Sequence, residues 1–254
     1  MRILQIAPFY PPHVEGIEFH VEALSRKLAE AGHEVVVYTS NVPKMPKRGM
    51  QNGVDVHRFD SLFSPLNNPV MPAMLLGLIK LGNFDVIHAH GYLHLSSNFS
   101  AMRRRLGGCP LVLTSHGAML EYRGWKGSVE RLYHRTLGKW TLRAADRLIA
   151  LTGTQADILV RLGADRRRLV VIPLWMDLSH FSTQTDAELF RRSHDLTDKK
   201  IILFVGGLQP RKGLRYLIDA AKDITERATI VIVGDEQPTY AGSRQVLQEQ
   251  VREL

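Results

Sequence analysis

Disulfide bonding has almost nothing to work with in this chain, because a single cysteine, Cys109, stands in 254 residues. An intrachain disulfide framework is excluded, and the expected setting is a reducing, cytoplasmic interior. Cys109 precedes Pro110 at the start of an apolar run and reads as a small buried hydrophobe rather than a nucleophile. Long apolar runs are missing too. The longest, Pro69 to Leu81, is interrupted by Pro72, Gly77 and Lys80, whereas a membrane-spanning helix needs about 20 apolar residues. The opening MRILQIAPFYPP has too short an apolar run for a secretory leader and reads as a first strand.

The usual phosphate-loop signatures are absent as well. A Walker loop needs Gly-Lys followed by Ser or Thr, but Lys212 is followed by Gly213. The glycines of FVGGLQPRKG are 206, 207 and 213, which is not GxGxxG, and no such motif follows the first strand. An acidic excess is lacking: 33 Lys and Arg face 25 Asp and Glu, a formal charge of +8. That balance suits an anionic partner, whether nucleic acid, anionic lipid or a phosphorylated small molecule. No recognition motif for nucleic acid accompanies it, so nucleic acid is not expected as a partner.

What is present is an alternation of short β-branched runs with helical patterns. Strands are expected at Ile3–Ala7, Val35–Thr39, Val54–Phe59, Val86–Ala89, Leu111–Ser115, Leu148–Leu151, Val170–Ile172, Ile201–Val205 and Thr229–Val233. Several are apolar on both faces, as parallel strands under helices must be. Ile17, Val21, Leu24 and Leu28 form a helical stripe that Gly32 stops. Leu132, Leu137, Trp140 and Leu148 bracket a long basic helical region, and Leu214, Leu217, Ile218 and Ala221 line a helix after the glycine loop. The expected class is α/β with doubly wound parallel sheets.

The stretch 174–199 is polar and holds no strand-like run. The expected division is a Rossmann-like domain over 1–174, a junction over 175–199, and the start of a second domain over 200–254. Only two strands fall in that second domain. Two parallel strands cannot cover both faces of a Rossmann sheet, so it reads as incomplete.

Four sites carry candidate chemistry, each with a plainer alternative. In FVGGLQPRKG, Gly206 and Gly207 make the turn, while Arg211 and Lys212 sit at a helix start. That is either an anion site reinforced by two cations or a solvated basic cap. After strand one, Gly16 opens a helix where a diphosphate could approach the backbone, or it relieves strain in a plain turn. Glu15 and Glu18 oppose an anion there unless they turn away. His116-Gly117 stands just past a buried strand, at the edge where ligands bind in open parallel sheets; the alternative is a structural histidine. His88, His90 and His94 suggest a metal site, but they straddle a strand end, where adjacent positions face opposite ways, and no carboxylate cluster accompanies them, so no metal is expected. Arg103 to Arg105, and the basic stretch from Arg123 to Arg147, read as solvated faces or as a surface lying on anionic lipid.

Taken together, several segments resemble the retaining, nucleotide-sugar-dependent glycosyltransferases of family four, in family order over almost the whole chain. They are MRILQIAPFYPPHVEGIEFHVEALSRKLAEAGHEVVVYT, FDVIHAHG, LTSHG, ADRLIALTGTQADIL, VVIPLWMDLSHF, ILFVGGLQPRKGLRYLIDAA and IVIVGDE. The resemblance implies a GT-B fold of two Rossmann-like domains, the second holding the sugar nucleotide and the first most of the acceptor. It implies that Gly16 offers backbone to the donor diphosphate, that His116 contacts the donor sugar, and that Lys212 and Arg211 neutralise the leaving diphosphate beside Gly206 and Gly207. It further implies transfer of a hexose from a UDP- or GDP-sugar to a lipid-linked or polysaccharide acceptor, with retention. Side chains would stand where other glycosyltransferases use a metal ion, with no separate cofactor. The expected placement is cytoplasmic, either free or peripheral on the inner face of the membrane, in polysaccharide biosynthesis.

Three departures stand out. Glu15-Gly16 replaces the family's Gly-Gly, Gly207 replaces an arginine, and Leu174-Trp175-Met176 replaces Asn-Gly-Val. The family's Glu-x7-Glu pair would fall past Leu254, so these 254 residues are expected to be weakly active or inactive. Two other readings stay open. One is a non-catalytic acceptor- or membrane-binding module, the other a GT-B sugar-nucleotide 2-epimerase.

Overall fold

The computed structural model describes residues 1–13, 16–80, 82–117, 124–175, 187–224, 228–236 and 241–254. The chain divides into two compact units, Met1–Asp177 and Leu178–Leu254.

The first unit is built on an eight-stranded sheet. Its strands are β1 (Arg2–Ile6), β2 (Glu34–Ser40), β3 (Arg48–Gln51), β4 (Val54–Phe59), β5 (Val86–His90), β6 (Leu111–Thr114), β7 (Arg147–Ala150) and β8 (Leu169–Val171). The spatial order is β3-β4-β2-β1-β5-β6-β7-β8. Every pairing is parallel except β3 with β4. Strand β3 was not expected from the apolar pattern, since RGMQ holds one apolar side chain. Its turn was nevertheless encoded: Asn52 and Gly53 both take positive φ, +50° and +79°, as an Asn-Gly hairpin requires.

The strand order reverses at β1. Helix α1 (Gly16–Glu30) leads from β1 to β2 on one side, while α2 (Pro72–Ile79) leads from β4 across to β5 on the other. A crevice opens at such a reversal, at the carboxyl ends of the strands. Alternate residues of the strands explain the layers. Leu4, Ile6, Ile87, Ala89, Leu111, Leu113 and Leu148 join one buried cluster with Met74 and Leu78 of α2. Val35, Val37, Val54 and Val56 join another under Val21 of α1. Leu148 therefore belongs to a strand, and the basic helical region ends before it, at Ala144.

Helix α3 (Leu95–Arg105) lies against β5 through small polar residues, with Ser96, Ser97 and Ser100 buried. Asn98 donates to Thr141 Oγ1 at 2.7 Å and to the Tyr133 hydroxyl at 3.0 Å. Arg104, expected on a solvated face, instead forms a two-pronged bond with Asp146 at 2.7 and 2.8 Å. Asp146 also accepts from the Leu111 N–H at 2.8 Å, tying the helix to the start of β6. Such planar, bidentate pairs are the stronger kind of ion pair.

Helices α4 (Trp125–Tyr133) and α5 (Lys139–Ala144) are joined through a π-helical turn, His134–Gly138. The cause sits at Gly138, where a Cβ would lie 2.3 Å from the Tyr92 hydroxyl and 3.0 Å from the Tyr133 carbonyl oxygen. Tyr92 is fully buried and bonded to His134 Nδ1 at 3.1 Å. Helix α6 (Gly153–Arg161) opens on a capping box: Thr152 Oγ1 accepts from the Gln155 N–H at 3.1 Å, and the Gln155 side chain accepts from the Leu151 N–H.

The second unit carries α7 (Ala187–Ser193), β9 (Lys200–Val205), α8 (Leu214–Ala220), β10 (Ala228–Val233) and α9 (Ser243–Arg252). Strands β9 and β10 pair in parallel. Leu208, Leu214 and Ile218 are buried against Phe204, Leu217 and Leu247. Leu203 and Val205 are 60% and 70% exposed, so one face of this two-stranded sheet is bare.

Gly138→Ala should destabilise the first unit by about 1–3 kcal/mol, because a methyl group there overlaps a buried ring hydroxyl and backbone. A urea titration followed by Tyr and Trp fluorescence checks it; an unchanged midpoint would mean the close approach at Tyr92 carries no constraint.

Candidate active site

The carboxyl ends of β1, β5 and β6 share one edge of the sheet, because all three run parallel. On the face opposite the apolar cluster, these strands carry Gln5, His88, His90 and Thr114. Gln5 is fully buried, so its amide must find a partner inside the protein. Its Oε1 lies 2.8 Å from His90 Nε2. His90 Nδ1 lies 3.0 Å from His116 Nε2. His88 Nε2 meets Thr114 Oγ1 at 2.8 Å. Helix α1 brings His20 edge-on to His116, with ring centroids 5.2 Å apart.

His116 follows β6 in a left-handed backbone conformation, φ +49°. A non-glycine residue held there costs local free energy, and such residues gather at binding and catalytic sites. Burial holds these imidazoles neutral. It lowers His88 and His116 to about 3 and His94 to about 4, with His20 and the neighbouring rings adding repulsion at His116. His90 is pushed well down for the same reasons, and His20 is lowered by burial.

The structure groups the histidines differently from the expected His88, His90 and His94. His88 and His90 are two apart, so they share a strand face, and their rings lie 4.1 Å centroid to centroid. The three histidines that converge are His20, His90 and His116, with one nitrogen from each inside 4.8 Å of the others. A metal ion would fit that spacing only by replacing the hydrogen bond that now joins His90 to His116.

Gly16 begins α1 beside the same edge, and a Cβ built on it meets nothing within 4 Å. Its freedom is therefore not demanded by the protein's own packing, which leaves the backbone open to a ligand. Glu15 lies outside the described residues. Glu18 turns inward: its side chain is buried, 3.1 Å from His13 Nδ1, so it does not stand over the helix start.

In the second unit, β9 ends at Val205 and the chain turns through Gly206 and Gly207 into a short 3-10 turn, Pro210–Lys212. Gly206 approaches β10's end so closely that a Cβ on Gly234 would lie 1.9 Å from the Gly206 oxygen. Arg211 and Lys212 are exposed. The proposed residues thus fall into two sets: Gly16 and His116 at one sheet edge of the first unit, and Gly206, Gly207, Arg211 and Lys212 at one strand end of the second. From the sequence, Gln5 and His20 carry no site expectation and His90 only that of a metal ligand. The available signal was a glutamine inside the apolar strand RILQIA, which no parallel strand buries without a partner.

A doubly wound sheet with an open helix start after β1 and a histidine after β6, followed by a strand–glycine–basic loop in a second parallel unit, is the architecture of a GT-B glycosyltransferase. The chain belongs to the glycosyl transferases: residues 15–175 match the family described as glycosyl transferase 4-like domain, and residues 186–254 match glycosyl transferases group 1. Among curated relatives, a D-inositol 3-phosphate glycosyltransferase of Geodermatophilus obscurus is 32% identical over 81% of this chain and 49% of its own length. The phosphatidylinositol N-acetylglucosaminyltransferase GPI3 subunit of Saccharomyces cerevisiae is 23% identical over 97% of this chain and 55% of its own. The chain therefore spans about half the length of the curated relatives it matches. Among solved structures, sucrose-phosphate synthase of Thermosynechococcus elongatus superposes with a TM-score of 0.76 at 20% identity, covering 99% of this chain and 67% of that one. Anabaena Alr3699/HepE in complex with UDP-glucose gives 0.77 at 17% identity, covering 100% and 66%.

The buried histidines link folding to pH. A histidine near 6.5 when unfolded and near 3 when folded binds its proton more readily in the unfolded chain. Stability is then full above pH 6.5 and falls as pH drops through the window from 6.5 towards 3, at about 1.4 kcal/mol per pH unit for each such group. Urea midpoints between pH 8 and 5 should be flat at the alkaline end and fall below 6.5; His88→Phe should flatten the fall if it folds, and a flat wild-type profile would contradict the neutral burial.

Proposed function

We propose that this glycosyltransferase moves a hexosyl group from a UDP- or GDP-linked sugar to a lipid-linked or polysaccharide acceptor, with retention of anomeric configuration and without a metal ion. The observation that carries the reading is the pairing, at one sheet edge, of an open helix start at Gly16 with His116 in a left-handed conformation. Gly16 offers backbone N–H to the donor diphosphate and His116 meets the transferred sugar. Arg211 and Lys212, beyond the turn at Gly206 and Gly207, neutralise the departing diphosphate. Negative charge grows on that group as the glycosidic bond breaks, so fixed cations there lower the barrier. That the two sets of residues serve one diphosphate is part of the proposal.

The solved relative holding UDP-glucose supports a uridine donor. The relatives named for inositol 3-phosphate and phosphatidylinositol make inositol-headed acceptors the first to try. The fold alone is shared with a UDP-N-acetylglucosamine 2-epimerase of Rickettsia bellii, at a TM-score of 0.53; incubating donor without acceptor separates the two activities. Calorimetry with UDP- and GDP-sugars should show binding that Lys212→Ala weakens roughly 10- to 100-fold, the worth of a hydrogen bond to a charged group. Failure of both donors to bind the 254-residue chain and a form extended to its relatives' length would overturn the donor assignment.

A second reading adds to the first. Trp125, Val129 and Leu132 are exposed along one side of α4, the tryptophan by 70%. A neighbouring cavity is lined by Arg131, His134, Arg135, Lys139 and Arg161. Apolar side chains beside clustered cations fit a helix resting on anionic lipid. Sedimentation with phosphatidylglycerol vesicles should show binding at low salt that high salt weakens; no binding, or binding indifferent to salt, rejects a charge-driven contact.

A further inference from the structure

The chain of bonds from Gln5 through His90 to His116 has a direction. A glutamine Oε1 only accepts hydrogen bonds, so His90 donates to it from Nε2 across 2.8 Å. A neutral imidazole has one N–H, which leaves His90 Nδ1 as a lone pair. His116 Nε2, 3.0 Å away, must then supply the hydrogen. The proton of His116 sits on Nε2 and its Nδ1 is bare. The titratable groups around His116 are His20 from α1, His88 and His90 from β5, and His94 at the start of α3. All are held neutral by burial, so among the described residues no neighbouring cation competes for the lone pairs.

We propose that Gln5 and His90 are positioning residues that set the tautomer of His116, committing its Nε2–H to His90 and leaving Nδ1 as an acceptor. This rests on the reading that His116 meets the transferred sugar, since an acceptor nitrogen is what a sugar hydroxyl can donate to. Gln5 acts through two intervening bonds and touches no substrate. It is the fourth of five residues in β1 and fully buried, with Oε1 towards His90 and Nε2 without a hydrogen-bond partner among the described residues.

The tautomer is measurable without any donor, so the result stands or falls apart from glycosyl transfer. Long-range proton–nitrogen correlation spectra of the chain labelled with nitrogen-15, with ring signals assigned from single-histidine variants, read each imidazole directly. The expected result near pH 7.5 is that His90 and His116 are both neutral with the proton on Nε2. A proton on Nδ1 of both rings, as a reversed Gln5 amide would impose, overturns the proposal, and so does a charged His116. Gln5→Met removes the starting acceptor and should leave His116 a mixture of tautomers. His90→Leu should do the same, whereas His90→Asn, whose Oδ1 falls near the position of Nδ1, should restore the Nε2–H form. A folded Gln5→Met variant with His116 unchanged also overturns it. Should that variant not fold, the wild-type spectrum decides. A single such bond corresponds to roughly a three- to tenfold shift in the tautomer ratio.

Discussion

Burial on both faces is the constraint from which the first unit follows. A parallel sheet covered by helices has no polar face to give to water, so nearly every strand residue must be apolar or fully bonded. Strand β1 stands at the reversal of strand order with a neighbour on each side. A polar residue in its middle can be satisfied only from an adjacent strand. Gln5 is that residue, and β5 supplies His90. The bond to Gln5 Oε1 also reaches towards the open edge, because His90 is the last residue of β5 and His116 follows β6. A requirement of packing thus orients a side chain at the edge where ligands bind.

The two units handle charge in opposite ways. At the first unit's edge the titratable rings are buried and uncharged, and among the described residues the carboxylate in the first turn of α1, Glu18, is turned inward. At the second unit's strand end Arg211 and Lys212 stand in solvent. A neutral hydrogen-bonding surface discriminates among hydroxyl groups, whereas exposed cations attract phosphates with little regard for shape.

Local chemistry explains why the basic residues do not act as a block. Arg104 is committed to Asp146 and helps hold α3 to the sheet. Arg131, Arg135 and Lys139 instead line a surface cavity next to the apolar side of α4. Sequence charge alone treats these alike, because a run of arginines carries no mark of which one meets a carboxylate forty residues away.

Alternation of β-branched runs with helical stripes was enough to set the class of fold, since the periods 2.0 and 3.6 are properties of the backbone and survive any packing. The glycine turn before Arg211 and Lys212, and the histidine after β6, were equally legible, because strand ends and helix starts are local events. The hairpin at Asn52-Gly53 was written in the chain but masked by the polar strand before it. What no local pattern contained was the meeting of Gln5, His20, His90 and His116. They come from three strand ends and a helix, and their sequence spacing follows the lengths of the intervening helices and loops. Only the strand order, which places β5 beside β1 and β6 beside β5, brings Gln5, His90 and His116 within bonding distance.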